Sequence, residues 1–105
     1  MAGAKRFEEL HAWQEARLLA REIRRLCRRP AFKREFAFQD QVGRAAISVM
    51  NNVAEGFARK THAEFARFLD IARGSATEVQ SMLYRAAADN LIDDASYTHL
   101  PAHAT

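Results

Sequence analysis

The segment Gln41–Gly56 reads QVGRAAISVMNNVAEG, and its apolar residues recur at steps of three and four. That spacing is typical of an α-helix, because residues three and four positions apart share one helical face. Followed outward, the pattern predicts one helix over residues 36–57. Apolar side chains fill most of its circumference: Phe36, Phe38, Val42, Ala45, Ala46, Ile47, Val49, Met50, Val53, Ala54 and Phe57. A helix with so wide an apolar face must be covered on two sides, so we expect it at the centre of the fold or at a subunit interface.

The same periodicity predicts a helix on either side, over residues 7–28 and 61–90. Pro30 ends the earlier helix, because its ring removes a backbone donor and disfavours helix at the preceding residue. Thr61 begins the later one as the first residue of a capping box, and Asn90 ends it, since Asn tolerates the left-handed conformation. Short connections between long helices predict an all-α fold, an up-down antiparallel helical bundle.

Length and composition narrow the class of protein. With 105 residues we expect one helical-bundle domain over residues 1–105, whose last part, residues 93–105, is an irregular tail interrupted by Pro101. The composition, 49% hydrophobic and 28% charged, excludes collagen-like and wholly disordered chains. The single cysteine, Cys27, excludes an internal disulfide framework. No signal peptide and no bilayer-length apolar run is readable, so we expect a cytoplasmic protein with no membrane partner.

Three segments, Phe7–Ala16, Gln41–Gly56 and Glu64–Glu78, carry a family resemblance. Its most specific part is the spacing of Asn52, Ala54, Glu55, Gly56, Gly74, Ser75 and Glu78. In these positions the chain resembles the small four-helix-bundle proteins encoded in intervening sequences of bacterial 23S ribosomal RNA genes. The family's fourth helix would follow Ile92, where this chain has a short tail. We therefore expect three long helices, with the fourth helix truncated.

The resemblance also implies an assembly and a class of partner. Members of this family associate into rings, commonly pentamers, and have no established molecular activity. A related accessory protein of diversity-generating retroelements has a similar fold, a basic surface, and nucleic acid and a reverse transcriptase as partners. By this analogy of fold we expect a homo-oligomer, a pentamer in the first instance, that contacts RNA, DNA or a nucleic-acid-handling protein.

Positive charge is concentrated near the N-terminus, where Met1–Arg34 holds ten Lys and Arg against four Glu. Four of these arginines are spaced by four, three and four residues, so they line one flank of the first helix: Arg17, Arg21, Arg24 and Arg28, here called the arginine stripe. Arg25 lies beside the stripe, and Lys33 and Arg34 follow it in the connection. Guanidinium groups match phosphate oxygens and release counterions, so these seven residues are the candidate nucleic-acid contacts. The alternative is a solvated helix face, partly paired with acidic groups of neighbouring subunits.

No stacking platform for bases is predicted beside the stripe. Trp13 belongs to the apolar face of the first helix, and Phe32 is the only nearby aromatic residue of the connection. Leu10 and Leu18 lie outside that apolar face and are candidates for contact between subunits.

A second candidate site is the polar side of the central helix. We expect one structural hydrogen-bond network that joins this side to the third helix and fixes the register of the bundle: Arg44, Ser48, Asn52, Glu55, Arg73 and Glu78. The alternative is a carboxylate pair, Glu55 and Glu78, for acid–base or metal chemistry. We expect Gly56 to cap the central helix and Gly74 to allow helices to approach closely.

No nucleophile, substrate pocket or metal-ligand spacing is readable beside these residues. The sequence therefore favours a protein that is not an enzyme and has no cofactor and no bound metal. We expect it to bind nucleic acid or a nucleoprotein partner through the arginine stripe. The alternative function is a protein-interaction scaffold with no nucleic-acid role.

Overall fold

The computed structural model describes residues 3–93, and residues 94–105, where most of the expected tail falls, lie outside this range. Its elements are a 3-10 turn at Phe7–Glu9, α1 at His11–Cys27, a second 3-10 turn at Pro30–Phe32, α2 at Phe36–Phe57 and α3 at His62–Ala88. Over this range no residue lies in a strand, which confirms the predicted all-α class. None of the three helices is both long enough and apolar enough to cross a lipid bilayer.

The first helix begins later than predicted, at His11 instead of residue 7. Leu10 takes an extended conformation, with φ −73° and ψ 129°, and this separates the turn at Phe7–Glu9 from α1. The turn folds back onto the helix, because the Phe7 ring packs edge-on against Trp13 and the Gln14 side-chain amide donates a hydrogen bond to the Glu8 carbonyl. Leu10 itself packs against the core and is only partly exposed.

The other helix ends follow the local signals. α2 has the predicted bounds. Thr61 caps α3 by accepting a hydrogen bond at Oγ1 from the Glu64 amide, 3.1 Å away, so the helix proper begins at His62. It ends at Ala88, and Asn90 takes the left-handed conformation, with φ 61°, that was expected of a C-terminal cap.

α2 is the central helix, because it packs along both α1 and α3. This arrangement explains why its apolar face is so wide. One core cluster joins the three helices and the connections, and no polar or charged side chain of residues 3–93 is buried in it. Its buried members are Ala16, Leu19, Ile23, Leu26, Phe32, Val42, Ala45, Ala46, Val49, Val53, Ala72, Ala76, Val79, Leu83, Ala86 and Ile92.

The two glycines singled out in the sequence have other roles than predicted. Gly56 is a buried residue inside α2, and Ala58 is the cap. A Cβ atom at Gly56 would come within 2.7 Å of the Phe68 Cβ and 2.8 Å of the Phe65 Cδ1, so its missing side chain makes room for the start of α3. Gly74 is exposed with open space around it, and no helix of the described chain approaches it closely.

Candidate functional site

The arginine stripe lies on the exposed surface of α1 and of its C-cap residue, Arg28, and all four of its side chains are open to solvent. From Arg17 to Arg28 the stripe rises along the helix axis by about 16 Å, at 1.5 Å per residue. Lys33 and Arg34 are exposed in the connection that follows the C-terminal end of α1. The structure therefore presents all seven predicted basic residues on the exposed surface of α1 and of the connection after it.

Ion pairing separates the stripe from five other arginines of the chain. Each of those five is within reach of a carboxylate three or four residues away, at 2.8 to 3.4 Å: Arg25 with Glu22, Arg44 with Asp40, Arg59 with Glu55, Arg73 with Asp70 and Arg85 with Asp89. Within residues 3–93 the stripe arginines have no such acidic partner. Arg17 lies over the Trp13 ring, with its guanidinium carbon 5.8 Å from the centroid. Of the seven predicted basic residues, Arg25 is the one with a carboxylate partner within residues 3–93, Glu22.

An open apolar groove of about 870 Å³ runs between α1 and α2, and three arginines of the stripe, Arg17, Arg21 and Arg24, form its rim. We call it the α1–α2 groove. It is lined by Trp13, Arg17, Ala20, Arg21, Ile23, Arg24 and Cys27 from α1, and by Gln39, Gly43, Ile47 and Met50 from α2. No acidic side chain lines it. The wide apolar face of α2 was the feature of the sequence that indicated this groove. Because α1 and α3 cover that face only in part, Ile47 remains 47% exposed.

Cys27 lies half-buried at the groove wall. Burial raises the pKa of its thiol, because a thiolate is poorly solvated there. The side chain therefore stays a neutral thiol at physiological pH. A neutral thiol is a poor nucleophile, so the side chain serves as a small packing residue.

The aromatic residue near Lys33 and Arg34 is not the predicted one. Phe32 is fully buried and stacks on Phe38, with ring centroids 5.2 Å apart. Phe36, which the apolar pattern assigned to the wide face of α2, is instead 74% exposed at the first residue of that helix. Apolar periodicity could not show which of Phe32 and Phe36 is buried, because the pattern of one helix does not show where neighbouring helices end.

The predicted polar network is largely absent. Of its six members only Ser48 and Asn52 are hydrogen-bonded to each other, by the Asn52 amide donating to the Ser48 hydroxyl at 3.0 Å and to its carbonyl at 2.8 Å. The link to α3 runs through Ser75, whose hydroxyl lies 2.9 Å from that of Ser48. Ser75 belongs to the family spacing but was not among the residues predicted for the network. Short hydroxyl side chains suffice here because α2 and α3 are close together.

The charged members of that set have partners elsewhere. Arg44, Glu55 and Arg73 form ion pairs within their own helices, and Glu78 accepts a hydrogen bond at 3.3 Å from the Gln41 side-chain amide on α2. Long exposed side chains reach neighbours one helical turn away more readily than residues of another helix. Because Gln41 and Glu55 are fourteen residues apart on α2, about 21 Å along the axis, Glu78 and Glu55 do not form a carboxylate pair. In the described part of the chain no three His, Cys, Asp or Glu residues cluster where a metal ion could bind.

Comparison with known proteins agrees with the resemblance read from the sequence. The family model described as 23S rRNA-intervening sequence protein matches residues 8–105. No curated protein and no solved structure matches the chain. Since the model spans nearly the whole sequence, including α1, α2 and α3, the chain belongs to the 23S rRNA-intervening sequence protein family.

Proposed function

We propose that this chain forms a cytoplasmic, non-enzymatic homo-oligomer that binds nucleic acid through the arginine stripe. The observation that supports this most directly is the pattern of ion pairs. Four exposed arginines, three on α1 and Arg28 at its C-cap, have no acidic partner in residues 3–93, whereas the arginines at 25, 44, 59, 73 and 85 are paired with carboxylates. Guanidinium groups bind phosphate oxygens through paired hydrogen bonds, so an uncompensated row of them suits a phosphate backbone.

The dimensions of the stripe suit a polymer of phosphates. Neighbouring stripe arginines have Cβ atoms about 5–6 Å apart, and the whole row extends over about 16 Å. Along one strand of a B-form duplex the phosphates follow each other at about 3.4 Å of axial rise, so the row faces about five of them. Contacts of this kind attract the backbone and carry no sequence information, so we expect binding without sequence preference.

Salt dependence tests the nucleic-acid proposal. Four phosphate contacts predict that the logarithm of affinity falls by about 0.7 to 0.9 per contact for each decade of salt. Between 50 and 200 mM salt the affinity is then expected to fall about 50- to 150-fold for one stripe. Fluorescence anisotropy with labelled RNA and DNA, each as single strand and duplex, measures this. Undetectable binding at 50 mM salt, or an affinity that does not change with salt concentration, would overturn the proposal.

Assembly into a ring is the expectation that family membership supports, and repetition of the stripe on a ring would raise avidity. Several stripes on one ring contact the same polymer with a high effective concentration. Leu18, which is 44% exposed beside the stripe, is the more exposed of the two candidates for a subunit contact, Leu10 and Leu18. Light scattering on a sizing column is expected to give about five times the 11.9 kDa of one chain. A mass of one chain at every concentration tested would contradict the ring.

The second candidate function, a protein-interaction scaffold, has an observation in its favour as well. The α1–α2 groove is apolar between its arginines, and a phosphate backbone would leave Ile47 and Met50 exposed to water. The two candidates differ in their salt response, because burial of apolar surface is not weakened by screening in the way that phosphate contacts are.

A further inference from the structure

We propose that the α1–α2 groove is the docking site for an amphipathic helix of a partner protein, one whose apolar face is flanked by acidic side chains. This inference goes beyond nucleic-acid binding and does not depend on it. Three properties of the groove support it: its apolar wall, its shape and the sign of the charge on its rim.

The apolar wall consists of side chains that the bundle covers only in part. Ile47 is 47% exposed, and Trp13, Cys27 and Met50 are each partly open to solvent. They lie together on the same side of α1 and α2. Removing such a contiguous apolar surface from water is favourable, and grooves of this kind mark binding sites on soluble proteins.

The shape of the groove suits a helix. It follows α1 from Trp13 to Cys27, about 21 Å of helix axis, which a partner helix of about fourteen residues would match. A helix laid between two neighbouring helices packs its side chains into their grooves at an interaxial distance of about 8–10 Å. Gly43 lines the groove, and no atom lies within 4 Å of the place where its Cβ would be, so a partner backbone can approach there.

The rim selects the charge of the partner. Arg17, Arg21 and Arg24 line the groove without any acidic side chain beside them. Glu or Asp residues flanking the apolar face of a partner helix would pair with these arginines, whereas Lys or Arg residues would be repelled. An amphipathic acidic helix satisfies the arginines and covers Ile47 and Met50 at once. A nucleic acid satisfies only the arginines, which is why the groove points to a protein.

The probe for a binding test is a synthetic sixteen-residue helical peptide with Leu at spacings of three and four and Glu on both flanks. A matched peptide carries Lys in place of every Glu. We expect saturable binding of the Glu peptide to the full chain by fluorescence anisotropy, and binding at least about tenfold weaker for the Lys peptide. Failure of the Glu peptide to bind would overturn the proposal.

Two variants locate the binding site. Ile47→Ser is expected to weaken binding of the Glu peptide about tenfold, because it removes a contact that is half-exposed in the free protein. Ile71→Ser is the matched control, since Ile71 is 42% exposed on α3 and does not line the groove. It is expected to leave peptide affinity unchanged. Circular dichroism verifies that both variants are folded. Equal loss of affinity in the two variants would contradict a site in the groove.

Two further measurements separate this proposal from its rivals. Ile47→Ser is expected to leave both the RNA affinity and the mass of the assembly unchanged. If Ile47→Ser lowers the RNA affinity as much as the peptide affinity, the groove binds nucleic acid. If Ile47→Ser dissociates the assembly, the groove binds a second copy of the chain. Either result would overturn the proposal. Because the arginines serve both ligands, the Glu peptide is expected to displace RNA. Absence of RNA binding to the wild-type chain would remove the nucleic-acid proposal and leave the peptide result standing.

Discussion

Replacing Arg21, Arg24 and Arg28 together by Gln is expected to lower the affinity for RNA or DNA about 100-fold at 50 mM salt. Hydrogen bonds between charged groups contribute about 1.5–3 kcal/mol each, so the loss of three in one row more than accounts for that factor. The slope of affinity against salt on a single strand is expected to fall from about −2.8 to about −0.7, since one phosphate contact, at Arg17, remains. Gln is close to Arg in helix propensity, so α1 keeps its stability.

The matched control for this variant replaces Arg44, Arg73 and Arg85 by Gln. It removes the same net charge, but from arginines that are already paired with Asp40, Asp70 and Asp89. Exposed pairs of this kind contribute about 0–1 kcal/mol, so the fold is expected to tolerate their loss. We expect less than about a threefold change in nucleic-acid affinity, because long-range attraction is screened at this salt concentration. Equal losses in the two variants would show that total charge, and not the stripe, governs binding.

Phe32→Ala is expected to lower the free energy of unfolding by about 3–5 kcal/mol, the usual cost of truncating a fully buried aromatic side chain. Phe32 has no exposed surface and stacks on Phe38, and its carbonyl accepts hydrogen bonds from the Glu35 amide and the Gln39 side chain. Its removal leaves a cavity where the connection between α1 and α2 packs against the core. For a small domain this is a large share of a total of about 5–15 kcal/mol.

Phe36→Ala provides the control, because it is the same substitution four residues later at a side chain that is 74% exposed. We expect a change within about 0.5 kcal/mol, as at most surface positions. Chemical denaturation followed by circular dichroism, at one protein concentration for all variants, measures both. If Phe36→Ala destabilises the protein as much as Phe32→Ala, Phe36 is buried against another subunit in the assembly.

The secondary structure was largely readable from local signals. α2 has its predicted bounds because apolar periodicity runs unbroken through it, and Thr61 and Asn90 stand at the ends of α3 as capping chemistry requires. The start of α1 was wrong by four residues. The extended backbone at Leu10 interrupts the helix there. The apolar periodicity does not reveal this interruption, because Phe7 is still an apolar residue that packs on Trp13.

The candidate site was predictable in part. The spacing of the arginine stripe places its members on one flank of α1 whatever the rest of the fold does. The pairing of Arg25 with Glu22 was also predictable from their separation of three residues. The polar network failed for a different reason. Each charged member had a closer partner on its own helix or in Gln41, and only the short side chains of Ser48 and Ser75 meet between helices.

Sequence alone determined the all-α class, the family, the wide apolar face of α2 and the row of arginines along α1, because each depends on residues close together in the chain. Tertiary packing decided what surrounds that row. Only the positions of α1 and α2 relative to each other bring Trp13 and Ile47 into one groove and make the arginines its rim. Packing also decided that Phe32 is buried while Phe36 is exposed. Burial depends on which distant residues cover a side chain, and local periodicity does not identify those residues.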